Sequence, residues 1–268
     1  AEKYPDGFGK DDIEYAELDN DKVVLLNYTS GTTGFSKGVM LTGNNLAGNV
    51  MYGIELGVLY RGERELCFLP LAHAYSCAFN FLVPMAVGAH VYLLGKVPSP
   101  KILLKAFEEV KPNLILTVPL ILEKIYKKMI LPQLSKTTMK VALNIPLLDS
   151  RIYAQIRKKL VDAFGGRFHE VIVGGAAMNE EVTNFLYKIK FPFTIGYGMT
   201  ECGPLISYDH NDEYVPGSCG QILKGIMKVR IDSEDPYNKV GEIQVSGENV
   251  MKGYYKNEEA TSKVFTED

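Results

Sequence analysis

Tyr28-Thr29-Ser30-Gly31-Thr32-Thr33-Gly34-Phe35-Ser36-Lys37-Gly38-Val39 separates two apolar runs, Val23-Val24-Leu25-Leu26 ahead of it and Val39-Met40-Leu41 behind it. Both runs are uncharged and branched, and read as buried strands. Successive glycines let backbone N–H groups turn toward one point, the nest geometry that holds anionic oxygens. The hydroxyls of Thr29, Ser30, Thr32 and Thr33 add donors or metal ligands, and Lys37 adds a compact positive charge. The chemistry this suits is polyphosphate binding. A Walker A loop, G-x-x-x-x-G-K-[ST], is excluded because Gly38 follows Lys37 and no Ser or Thr does. A plain Gly/Thr surface turn is the bland alternative, and twelve positions between two strands argue against it.

Outward from this loop the chain alternates strand and helix. Thr42 caps a helix with Leu46, Val50, Ile54 and Val58 at four-residue spacing. Glu65–Leu69 and His90–Leu94 read as strands around a helix Tyr75–Val87, all buried. Pro100 opens a helix with Leu103, Leu104, Phe107 and Val110 on one face. Strand Leu114–Val118 precedes a helix that starts at Pro119, and Leu131–Lys140 reads as a polar connector. The helix Ser150–Phe164 ends at Gly165-Gly166. Strand Val171–Val173, a helix from Asn179 and strand Phe193–Ile195 complete the pattern. Such alternation predicts an α/β fold of largely parallel sheets with crossover helices. From Gly217 the texture changes to short alternating strands, Met227–Ile231 and Glu242–Val245, so a small antiparallel β-unit is expected at the C-terminal end. The expected division is 1–216 and 217–268.

At 268 residues the chain can bury a substantial core. Its 29 basic and 32 acidic residues give a net charge of −3, so no nucleic-acid footprint is expected. Cys67, Cys77, Cys202 and Cys219 form no C-x-x-C pair and read as reduced thiols of a cytoplasmic protein. Leu66–Gly95 carries no Asp, Glu, Lys or Arg, but Pro70, His73, Asn80, Pro84, Gly88 and His90 interrupt it. Buried core is favoured over a membrane span, which needs about 20 predominantly apolar residues; contact at a membrane surface is left open.

Two further junctions carry distinctive residues. In Val173-Gly174-Gly175-Ala176-Ala177, small side chains let backbone approach a flat ligand, or simply make a tight turn. In Ile195-Gly196-Tyr197-Gly198-Met199-Thr200-Glu201, the glycines clear space for Tyr197 to stack on a planar base. There Thr200 offers a hydroxyl to a phosphate oxygen and Glu201 a hard carboxylate to Mg²⁺. A core tyrosine beside a surface acid is the alternative. Arg151, Arg157, Lys158 and Lys159 read as a solvated helix face.

Together, Tyr28–Val39, Val173–Ala177 and Ile195–Glu201 resemble the phosphate loop, adenine segment and signature of the adenylate-forming (AMP-binding) superfamily. Ser36 stands where that family usually has proline. The resemblance covers essentially the whole chain, and Leu69–Tyr75, Pro119–Ile130 and Gly165–Ala177 look most like long-chain fatty acyl-CoA synthetases. It implies the N-terminal-domain fold of those enzymes, with residues 1–216 as the nucleotide- and acyl-binding core. It also implies ATP, Mg²⁺ and coenzyme A as cofactor, metal and co-substrate, and a fatty acid as substrate. By resemblance, Thr32 and Glu201 face Mg²⁺. Thr29, Ser30, Gly31, Thr33, Gly34 and Lys37 hold the phosphates, and Thr200 the α-phosphate. Gly175, Ala176, Ala177, Gly196 and Tyr197 hold the adenine. His73, in Leu69-Pro70-Leu71-Ala72-His73-Ala74-Tyr75, sits near the substrate carboxylate or is a structural histidine. Gly241–Val245 and Val250–Tyr255 match a later motif expected to shape the β-unit without chemistry.

The same resemblance implies that this is a central fragment. The family's ribose-binding Thr-Gly-Asp and its C-terminal domain with the adenylation lysine are expected beyond Asp268, and an N-terminal segment before Ala1. Activation of another carboxylate (aryl or amino acid) and a non-catalytic nucleotide- or lipid-binding module are the alternatives. Leu69–Phe81 holds no acid to meet a substrate amine, which favours an uncharged tail.

Overall fold

The computed structural model describes residues 9–12, 19–30, 36–145 and 148–267. A five-stranded parallel sheet lies at its centre, in the order His90–Leu93, Arg64–Cys67, Leu114–Thr117, Glu170–Val173, Phe193–Ile195. Leu114–Thr117 and Glu170–Val173 are buried at every position, because helices cover both faces of a parallel sheet. On one face Leu103, Phe107, Leu122, Ile125, Leu160 and Leu186 pack with Val171 and Val173. On the other, Tyr52, Phe79 and Val83 pack with Leu114, Leu116 and Ile172. The helices start where their caps predict: Thr42, Ser99 and Asn179 each accept a hydrogen bond from a backbone N–H three residues on. The α/β class and the parallel sheet expected from the alternation are therefore present.

Antiparallel structure is more widespread than the sequence suggested. Met227–Asp232 pairs with Glu242–Gly247 as expected. Val23–Ser30 also pairs antiparallel with Ser36–Thr42, and Gly253–Tyr254 extends that sheet. Tyr197–Gly198 and Leu205–Tyr208 form another pair. The physical reason is connection length: a parallel crossover needs a dozen or more residues, and only five separate Ser30 from Ser36.

Three other expectations are corrected. Leu131–Lys140 is no connector but holds the helix Leu131–Leu134 and the start of Thr137–Ala142; Pro132 sits in a first turn, where a missing N–H costs nothing. The helix Gly43–Glu55 buries Asn45, Gly48, Asn49, Tyr52 and Gly53, while Ile54 is exposed. A strict four-residue spacing drifts by about 40° per step around a helix of 3.6 residues per turn, so the apolar stripe leaves the buried face. Finally, Leu66–Gly95 is not all buried: Leu71, Phe81, Met85, Tyr92 and Leu93 are exposed. His90–Leu93 is an edge strand paired on one side only. No helix among the described residues is long and apolar enough to cross a membrane.

Candidate functional site

Val23–Ser30 and Ser36–Thr42 form an antiparallel hairpin. Thr29 and Lys37 are register partners across it. Asn27, buried three residues before Ser30, donates from its side chain to the Ala72 carbonyl at 2.7 Å, which ties the hairpin to the loop that carries His73. The side chain of Ser30 and all of Gly31, Thr32, Thr33 and Gly34 lie outside the described residues.

Two small-residue segments leave adjacent strands of the parallel sheet. Val173 pairs with Ile195, and the Gly196 N–H continues the ladder to the Val173 carbonyl at 3.0 Å. Gly175, Ala176 and Ala177 are exposed beyond the strand end, and Tyr197 is 36% exposed. Gly175 has φ of +87°, open to glycine and strained for L-residues. The structure thus brings Gly175–Ala177, Gly196 and Tyr197 together at one rim.

Thr200 and Glu201 follow in a single 3₁₀ turn, Thr200–Cys202. That turn is clamped by buried amides, which sequence reasoning missed. Asn49 donates to the Cys202 carbonyl at 3.0 Å and accepts from the Leu205 N–H at 2.9 Å. Asn249 donates to the carbonyls of Cys202 and Leu205 at 3.0 and 2.8 Å. Asn45 donates to the carbonyls of Glu248 and Val250 and completes a capping box with Thr42. Buried Asn pairs satisfy loop carbonyls that no ladder reaches. In sequence a buried Asn looks like a surface one; only the Thr42-x-x-Asn45 spacing carried a signal.

Glu201 is half-buried. Its backbone carbonyl accepts from the Met251 N–H at 2.7 Å, and its Oε1 accepts from the Tyr254 hydroxyl at 2.8 Å. The Lys37 ammonium lies 4.9 Å from the centroid of the same tyrosine ring. Val250–Tyr255 therefore does more than shape the β-unit: it joins Lys37 to the acid of the Thr200–Cys202 turn. Among the described residues no group of three or more His, Cys, Asp or Glu side chains assembles. Glu201 supplies a hard carboxylate oxygen, which suits Mg²⁺ completed by phosphate oxygens.

His73 is exposed, stands at the N-cap of the helix beginning at Ala74 and makes no capping bond. Among the described residues no hydrogen bond or ion pair joins its ring to Lys37, Thr200 or Glu201. Tyr75, two residues on, is fixed: its hydroxyl donates to the Ile172 carbonyl at 3.1 Å, and its ring lies 3.3 Å from where a Cβ on Gly174 would stand. Beneath it is a wholly apolar cavity of about 20 Å³ between Tyr75, Phe79, Leu116, Ile172 and Leu205.

A family model described as AMP-binding enzyme matches residues 2–255. Long-chain-fatty-acid--CoA ligase 1 of Saccharomyces cerevisiae is 29% identical over 92% of this chain and 39% of its own length. 4-coumarate-CoA ligase 1 of Narcissus pseudonarcissus is 31% identical over 96% of this chain and 45% of its own. The crystal structure of ATP-bound MatB from Rhodopseudomonas palustris superposes with a TM-score of 0.73 at 23% identity, covering 94% of this chain and 45% of that one. The chain thus spans less than half the length of these relatives.

Proposed function

Because the chain belongs to the AMP-binding enzyme family, we propose that it forms the nucleotide- and acyl-binding core of an ATP-dependent acid–CoA ligase, and within that class of a long-chain fatty acyl-CoA ligase. The observation that carries this reading is the joining of three separate sequence segments. Lys37 and Glu201 meet at Tyr254, and Gly175–Ala177 and Tyr197 leave neighbouring strand ends a few residues from Glu201. In this reaction the substrate carboxylate attacks the α-phosphate of ATP, and the P–O bond to pyrophosphate breaks. The coenzyme A thiolate then attacks the acyl carbon and releases AMP. A fatty carboxyl, with a pKa near ~4–5, is already ionised at pH 7 and needs no general base. The chain's residues therefore act by placement and charge. Lys37, with Thr29, Ser30, Gly31, Thr33 and Gly34, holds the phosphates, and Thr200 the α-phosphate. Tyr197, Gly196 and Gly175–Ala177 seat the adenine, and His73 stands near the carboxylate. Glu201 and Thr32 would hold Mg²⁺, which neutralises polyphosphate charge when bound.

Support for a fatty tail is the absence of any acid in Leu69–Phe81. An aryl carboxylate is the second reading, favoured by the relative from Narcissus pseudonarcissus. Pyrophosphate release with palmitate against 4-coumarate, in a protein carrying this chain together with the further length its relatives have, separates the two. Preference for 4-coumarate would overturn the fatty-acid reading, and release with neither would overturn the ligase. The 268-residue chain alone should bind ATP weakly and form no acyl-CoA.

A further inference from the structure

The Tyr254 side chain touches both Lys37 and Glu201, and its own placement is constrained. It is 5% exposed. Its N–H donates to Thr261 Oγ1 at 2.9 Å, its strand pairs with Ser36–Thr42 in register Tyr254↔Val39, and the next N–H, of Tyr255, donates to the Gly38 carbonyl at 2.7 Å. The preceding Gly253 has φ of +141°, and a Cβ there would stand 2.9 Å from Thr261 Cγ2. The ring therefore cannot swing away without undoing a sheet edge, so its hydroxyl is a fixed donor presented to a carboxylate.

We propose that Tyr254 is a positioning residue for the metal and phosphate site, resting on the reading of that site given above. Its hydroxyl pins Glu201 Oε1 and leaves the other carboxylate oxygen as the one offered to a divalent cation. Its ring face holds the Lys37 ammonium by cation–π attraction, beside the phosphate loop, until polyphosphate oxygens take over that charge. A carboxylate whose rotamer is fixed by a hydrogen bond loses less freedom when it binds a metal, and removal of such outer partners typically costs about 10–100-fold in metal affinity. The consequence is specific. The Tyr254 hydroxyl should matter for metal-dependent nucleotide binding and hardly at all for binding without metal, because its hydrogen bond goes to Glu201 and not to Lys37.

The test uses the chain itself and Mn²⁺ as the probe, read by water-proton relaxation with ATP, alongside ATP binding in EDTA. Tyr254→Phe keeps the ring over Lys37 and removes only the hydroxyl. It should reduce the Mn²⁺-dependent gain in ATP affinity about tenfold, leave binding in EDTA unchanged and keep a cooperative thermal melt. Glu201→Gln should abolish the gain. If Glu201→Gln loses the gain and Tyr254→Phe keeps it whole, the tyrosine does not position Glu201 and the inference is overturned alone. An equal loss with and without metal in Tyr254→Phe would reduce Tyr254 to a packing residue and overturn it as well. If the wild-type chain shows no Mn²⁺-dependent gain, or Glu201→Gln retains it, the site reading itself fails and the inference falls with it.

Discussion

Glu65 and Glu170 stand in one row of the parallel sheet, each a register partner of Leu114, and both are fully buried. Their fates differ. Glu170 Oε2 accepts from the Tyr208 hydroxyl and faces His210 Nδ1 at 3.6 Å, while its Oε1 accepts from the Asn211 N–H at 2.5 Å and the Asn211 amide at 3.0 Å. Burial raises its pKa, but the bonds from His210, Tyr208 and Asn211 outweigh that and hold the carboxyl below its usual range. Glu65 has one partner, Asn80, at 2.6 Å, and its Oε2 has none among the described residues. Burial pushes its pKa up to about 8, and the Asn80 bond offsets only part of this. Burial does not decide the charge of an acid; the number of donors that reach it does. Glu201, half-buried with one donor and open to more, is the acid equipped to take a ligand, and it lies toward the opposite end of the strands.

The largest expected effect is on the satisfied acid. Glu170→Ala leaves Tyr208, His210 and Asn211 buried or half-buried without their acceptor, and should cost roughly 3–5 kcal/mol in urea unfolding. A cost near zero would show that the network is not ionised. Next is the pH profile of the unsatisfied acid. A carboxyl with a raised folded pKa stays protonated in the folded state while the unfolded chain ionises. Stability then falls by roughly 1.4 kcal/mol per pH unit, from about pH 4.5 to about 8, and levels off above. His210 is raised to about 9, first by its bond to Glu170, so its contribution is complete below pH 6.5 and is lost as pH rises through about 9. Glu170, being lowered, acts on the other side: its contribution is lost as pH falls below about 4.5. Glu65→Gln should therefore flatten the wild-type decline between pH 4.5 and 6.5 and leave the decline toward pH 9 in place. A decline that survives the substitution would refute the neutral Glu65.

Neutral buried amides extend the comparison. Asn49 is 0% exposed and serves the Cys202 carbonyl and the Leu205 N–H. Asn49→Ala should cost about 1–3 kcal/mol with no pH dependence. It should also loosen the Thr200–Cys202 turn enough to weaken Mn²⁺·ATP binding. A pH-dependent loss would mean that the effect passes through an acid and not through the amide.

Much of this was legible in sequence for a simple reason: period and caps are local. Thr42, Pro100 and Asn179 mark helix starts by chemistry that acts within one turn, and the strand through Val171–Val173 announces itself by an apolar run. The glycine spacing in Tyr28–Lys37 and Gly196–Glu201 was likewise local, and so was readable. Asn27, Asn49, Asn249 and Tyr254 were not, because their roles come from partners 44 to 156 positions away. Glu65 and Asn80 were hidden for the same reason. Asn80 reaches the sheet from a π-helical turn, Cys77–Leu82, where Pro84 cannot donate to the Asn80 carbonyl four residues back. The antiparallel hairpin was missed because both strands run on into the glycine-rich stretch and leave only five residues between them.

The smallest effect belongs to the surface. Lys158 and Asp162 form an ion pair at 2.7 Å, as short as many buried contacts, on a helix face where their side chains are 76% and 57% exposed. Distance alone would rank it with the Glu170 network. Water already solvates both charges there, and holding two long side chains in one geometry costs entropy, so an i,i+4 pair contributes only about 0.3–0.5 kcal/mol. Alanine is the better helix former by a similar few tenths of a kcal/mol, which offsets part of the loss. Lys158→Ala should leave stability within about 0.5 kcal/mol of wild type, less still in high salt, where the pair is screened. The same variant bears on Arg151, Arg157, Lys158 and Lys159, all exposed. As a solvated face they leave the apparent affinity for coenzyme A unchanged on substitution, whereas contacts to its phosphates would weaken it in a salt-dependent way. A stability loss above 1 kcal/mol would break the rule drawn from Glu65 and Glu170, that partners matter in proportion to the water they replace.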